Sequence, residues 1–174
     1  MIQVKPNQNT REAVKTPTQR ILVALDQDNT HAVVFQKAQE LAQALNGQLM
    51  LCHCLAALPA ESTTMMDTAS IGVYSAPYTH QLLDQSQALM AEKRQETLNW
   101  LQGLQEQLTT LGLTVEFDTR VGESGRYICD LAESWQADLV IMGRRGRSGL
   151  TEMLMGSVSN YVLHHAPCSV LVVQ

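Results

Sequence analysis

The chain has 174 residues, 45% hydrophobic and 17% charged, a balance that suits one folded domain with a real core and excludes a disordered or fibrous chain. Twelve Lys and Arg stand against 17 Asp and Glu, a net charge of −5 that argues against a general nucleic-acid binder, which needs a basic surface. No apolar run approaches the roughly 20 residues that span a bilayer, and the N-terminus lacks the continuous apolar core of a signal peptide, so a cytoplasmic protein with no membrane partner is expected.

Residues 1–19, MIQVKPNQNTREAVKTPTQ, are polar, contain Pro6 and Pro17 and have no sustained periodicity; a flexible tail is expected, with the folded domain over 20–174. Arg20 to Leu25 is a short apolar run of the kind that forms a strand covered on both faces, stopped by the polar turn Asp26-Gln27-Asp28-Asn29-Thr30. Val33, Val34, Lys37, Ala38, Leu41 and Leu45 then follow helical spacing up to Asn46-Gly47, and Gln48 to Cys54 reads as a second buried strand. The segment 55–78 is too polar and irregular for another strand–helix unit and is taken as a long loop. From about Thr79 to Leu111, leucines and Met90 recur at helical intervals, and this stripe is read as core packing.

Leu113 to Val121 alternates in part and predicts a third, more exposed strand; a helix begins at Ser124 or Gly125. Asp138 to Met142 is the fourth strand, a helix runs to about His165, and Pro167 precedes a fifth strand over 168–173. Apolar strands alternating with helices predict an α/β fold, an open and mostly parallel sheet with helices on both faces.

The four cysteines each lie in or beside an apolar segment, where a reduced thiol acts as a small hydrophobe. Cys52-His53-Cys54 invites a metal reading, but alternation on a strand puts His53 on the face opposite the two thiols, and a structural zinc needs four ligands. No metal site is assigned. His164 and His165 suit the negative end of a helix.

The unusual stretch is MGRRGRSGLTEMLMGSVSN, residues 142–160. Glycines let backbone N–H groups reach a ligand, and a helix start beyond them adds donors and partial positive charge suited to phosphate. Arginines add forked donors. Each residue also has a plainer role: glycines permit a tight turn, Asp26 caps a helix, arginines face solvent. Neither the P-loop pattern nor G-x-G-x-x-G after the first strand is present, so those two nucleotide-binding motifs are excluded.

What stands is Gly143-x-x-Gly146, nine residues, then Gly156-Ser157. With ILVALD at 21–26, VGESGRYICDLA at 121–132 and ADLVIMGRRGRSGLTEMLMGSVSNYVLHHAPCSVLVV at 137–173, this closely resembles the universal stress protein family over about 20–174, in its ATP-binding subgroup. The resemblance implies a single open five-stranded parallel sheet of order 3-2-1-4-5, adenine nucleotide α-hydrolase-like. It brings Asp26 beside the glycine loop at the point where strand order reverses. Carried over residue by residue, it implies phosphate binding by Gly143, Gly146, Gly156 and Ser157. Asp26 would meet the ribose or adenine side, Ala24 would line the base pocket, and Cys54, where the family often has valine, would offer backbone groups to the adenine edge. Ser159 and Asn160 lie within one helical turn of the phosphates. Arg144, Arg145 and Arg147 exceed the family's minimal pattern, and at least one, Arg144 or Arg147 foremost, is expected to pair with a phosphate.

The ligand so implied is ATP, with Mg²⁺ balancing its charge. The role is that of a nucleotide-dependent sensor in a stress response, acting on an unidentified protein partner, and a homodimer through strand 168–173 is implied as well. Two alternatives remain open from the residues. One is a slow ATP hydrolase drawing an acid or base from Glu61, Asp67 or His80. The other is a scaffold responding to another adenine nucleotide, such as a cyclic one.

Overall fold

A computed structural model of the chain describes residues 19–27, 31–56, 76–144 and 155–174. The elements alternate: β1 (Arg20–Ala24), α1 (His31–Leu45), β2 (Gln48–Leu55), α2 (Ala76–Thr110), β3 (Thr114–Val121), α3 (Ser124–Ser134), β4 (Leu139–Gly143), α4 (Ser157–His165) and β5 (Ser169–Val173). All neighbouring strands pair in parallel, in the order β3-β2-β1-β4-β5. This is the expected doubly wound sheet, with β1 and β4 adjacent at the reversal.

Strand alternation divides the core. Ile21, Val23, Leu49, Leu51 and Ile141 face α1 and α2, where they meet Val34, Ala38, Leu101 and Leu108. Leu22, Met50, Cys52, Val140 and Met142 face α3 and α4, where they meet Tyr127, Ile128, Ala132 and Val162. Covered on both faces, the central strands have no reason to alternate in polarity, which is why their sequences are continuous apolar runs.

Several boundaries differ from the sequence reading. β2 extends to Leu55 and α2 begins at Ala76, so both ends of the expected loop 55–78 lie in regular structure. Gly143 is the last residue of β4, paired with Val173, rather than the first of a loop. Asn46, not Gly47, takes the left-handed turn after α1, at φ 51°. Gly47 serves packing instead, since a Cβ there would stand 3.0 Å from the Gln19 carbonyl oxygen and 3.1 Å from Ile21 Cδ1.

Among the residues whose burial is described, from 84 on, the leucine stripe is core in its C-terminal half. Thr97, Leu101, Leu104 and Leu108 are buried, whereas Leu89 is 43% exposed and Glu92–Glu96 lie on the surface. The cause is length: 35 residues make a helix of about 52 Å, while strands of 5–8 residues reach about 17–27 Å. Helical spacing continues past the point where the sheet ends.

Candidate functional site

A cleft of about 320 Å³ opens at the carboxyl ends of the central strands. Its size falls within the roughly 300–1,000 Å³ of small-molecule sites, and its position is the topological switch point of an open α/β sheet. Ala24 and Asp26 reach it from β1 and the turn beyond, Cys54 from the end of β2, Gly143 from the end of β4, and Gly156, Ser157 and Ser159 from the start of α4. Seven of the expected site residues are therefore on one cavity wall or another. Arg144, among the described residues, stands beside the lining, not in it. Gly146 and Arg147, with Arg145, lie outside the described residues.

The α4 end of the cleft is built by backbone ties. Arg144 N–H donates to the Val173 carbonyl at 2.9 Å, and its own carbonyl accepts from Gly156 N–H at 3.0 Å. The Ser159 hydroxyl, 2% exposed, lies 2.8 Å from the Arg144 carbonyl and 3.0 Å from that of Gly156, so its proton is engaged within the protein. These contacts weld the exit of β4 to the first turn of α4. Gly156 is the N-cap, and no side chain caps the helix. The first-turn amides of Ser157 to Ser159 have no intrahelical partners by construction. An uncapped helix start with a glycine at the cap has the donor geometry and dipole that suit an anion.

The rest of the lining is partly apolar. The Cys54 thiol contacts the Gly122 carbonyl at 3.4 Å, tying the end of β2 to the turn before α3. Burial pushes this thiol above its ordinary pKa, only partly offset by hydrogen bonding to Ser124 and Gly122 and by the Arg120 charge. It stays protonated at neutral pH and adds no negative charge to the cleft. Cys52 below it is held higher still by burial. The Asp26 carboxylate accepts from Gln27 N–H at 2.9 Å, which orients it in the turn.

Sequence reasoning missed part of the lining. His31, His53, Gly122 and Ser124 also face the cleft. Gly122, in the turn after β3, and Ser124, the first residue of α3, bring a third connection to the carboxyl edge; its signal was its position after a strand, the same one that marked Asp26. His53 does take the face opposite the two thiols: Cys52 and Cys54 pack toward α3 and α4, and the imidazole meets Trp100 of α2. Among the described residues no group of three or more metal-ligating side chains converges, and no helix is long and apolar enough to cross a membrane.

Comparison with known proteins identifies the family. The family model described as universal stress protein family matches residues 17–174. The chain belongs to the universal stress protein family. A curated relative, universal stress protein Sll1388 of Synechocystis, is 40% identical over 158 residues, covering 89% of this chain and 97% of its own. Two solved structures are similar in fold. The hypothetical protein MJ0577, whose structure was used to assign its biochemical function, is 21% identical with a TM-score of 0.69 and covers 89% of this chain and 94% of its own. A universal stress protein in complex with cAMP is 21% identical with a TM-score of 0.57 and covers 90% of this chain and 96% of its own. In this universal stress protein, then, the cleft lies where the fold places ligands, and its residues are the ones to read for chemistry.

Proposed function

We propose that this universal stress protein binds ATP in the cleft and acts as a nucleotide-dependent sensor in a cytoplasmic stress response. The observation that carries this reading is the cleft's mixed lining. It joins a helix start with a glycine cap and no side-chain cap to Ala24, Cys54 and Asp26 from the ends of β1 and β2, which are uncharged but for one carboxylate. A phosphate chain suits the first, and a base with ribose hydroxyls suits the second. The relative solved with cAMP carries an adenine nucleotide on the same fold, which supports the ligand class.

In this reading Gly143, Gly156 and Ser157 cradle phosphates, with Gly146 and Arg147, which lie outside the described residues. Ser159 braces the cradle through Arg144 rather than meeting the phosphates. Mg²⁺ would be held chiefly by phosphate oxygens and water, its usual preference with nucleotides. Binding shifts the population of a state that a protein partner recognises. A thermal-shift panel of ATP, AMP and cyclic nucleotides tests the ligand. At a concentration about 100-fold above Kd, a true ligand stabilises by about 2.7 kcal/mol, and ATP should give the largest shift. Equal or absent shifts across the panel would remove ATP from the account.

The same reading includes a homodimer through strand 168–173. Among the described residues β5 is an edge strand of half-buried apolar residues, Val170 to Val173, whose outer ladder suits its twin. Light scattering at high concentration should return twice the chain mass of 19.2 kDa. A monomer mass across the concentration range would refute it.

A further inference from the structure

His53 is 3% exposed, lines the cleft and sits at the carboxyl end of a central strand. Its Nδ1 lies 2.8 Å from the carbonyl oxygen of Leu25. A carbonyl only accepts, so Nδ1 carries the proton. Nε2 is buried and has no hydrogen-bond partner among the described residues. An apolar side chain would avoid that unsatisfied nitrogen, so packing alone does not account for a histidine here.

The carbonyl it holds belongs to the residue just before Asp26. Leu25 N–H in turn donates to the Cys52 carbonyl at 2.9 Å, so both backbone groups of Leu25 are fixed to β2. The imidazole itself is fixed by Trp100, whose ring it meets edge-on at 5.6 Å and 86°. His31, at the start of α1 and also on the cleft, meets the same indole at 5.7 Å and 87°. A longer contact, Gln27 Nε2 to Thr97 Oγ1 at 3.5 Å, joins the turn after Asp26 to α2 one helical turn from Trp100.

We infer that His53 is a positioning residue for the nucleotide cleft: its Nδ1–H holds the Leu25 carbonyl and thereby sets Asp26, and Trp100 braces the imidazole that does so. This rests on the reading of the cleft as a nucleotide site. It predicts that the donor at Nδ1 matters for affinity, not the ring as such. It also makes Trp100 a reporter, because two residues that line the cleft touch its indole.

The test uses the full chain and ATP, by calorimetry, with His53→Phe and His53→Asn. Phe keeps a ring against Trp100 without the donor; the Asn amide places an N–H near the position of Nδ1. Loss of one such hydrogen bond predicts ATP binding about tenfold weaker in His53→Phe, with His53→Asn within about threefold of wild type. In a Trp135→Phe background, ATP should change the Trp100 emission of wild type, and of the Asn variant, more than that of the Phe variant. If the Phe variant does not fold, the Asn variant decides: retained affinity supports the assignment, and lost affinity overturns it. Wild-type binding of ATP with unchanged affinity in His53→Phe overturns the positioning role alone. Failure of wild type to bind any adenine nucleotide overturns the cleft's function and this role with it.

Discussion

Gly156→Val should weaken ATP binding by about 100-fold or more, roughly 2.7 kcal/mol, while the protein stays folded. Gly156 caps α4 and lines the cleft at the uncapped helix start. Its backbone, at φ −63° and ψ 153°, is ordinary extended geometry that valine adopts without strain. Replacing a glycine N-cap by a branched aliphatic residue costs the helix about 1 kcal/mol or less. The large effect falls on the ligand, because an isopropyl group then occupies a wall where phosphate must reach backbone N–H groups. Calorimetry with ATP, beside a urea melt of the same variant, separates the two effects. Unchanged affinity would mean that the first turn of α4 does not hold the phosphates.

Gly125→Ala should destabilise the fold by about 1–3 kcal/mol, the usual cost of overpacking a close contact. Gly125 is buried at the start of α3, and an added Cβ would stand 2.8 Å from Cδ1, 3.0 Å from Cγ and 3.1 Å from Cβ of Tyr161. The last of these is the root of the side chain, so rotating the ring cannot relieve the clash. Helix α4 must move, and α4 carries the cradle of Gly156 and Ser157. ATP affinity should therefore fall together with stability. Tyr161→Ala, at a residue 39% exposed, removes the ring atoms at 2.8 and 3.0 Å but keeps Cβ, so it should recover part of the loss in the double variant. Strict additivity in urea melts of the four proteins would show that the α3–α4 contact is not the cause.

The legible parts of this fold share one physical origin. Residues such as Ile21-Leu22-Val23 and Val140-Ile141-Met142 are covered on both sides, so burial leaves continuous apolar runs that any reading finds. Strand order was a different matter. Alternation of strands and helices fixes a parallel sheet but not its permutation, and 3-2-1-4-5 came from resemblance to the family. The exposed half of α2 was not legible, because Leu89 and Met90 keep the same spacing as Leu101 and Leu108 although the sheet no longer lies beneath them. At the site, Asp26 and Gly156-Ser157 announced themselves as a polar stop after a strand and a glycine before a helix. His53 did not. Alternation gave its face, but the Leu25 carbonyl and the Trp100 ring that give it meaning come from distant parts of the chain.

The central claim is that amides at the start of α4 grip a triphosphate beside the carboxylate that follows β1. A crystal structure grown with ATP and Mg²⁺ tests it most directly. The account predicts phosphate oxygens within hydrogen-bond distance of the backbone N–H groups of the first turn of α4, from Ser157 on, the ribose toward Asp26 and the base toward Ala24 and Cys54. Nucleotide bound elsewhere, or a cleft filled by the protein's own residues under saturating ATP, would contradict it.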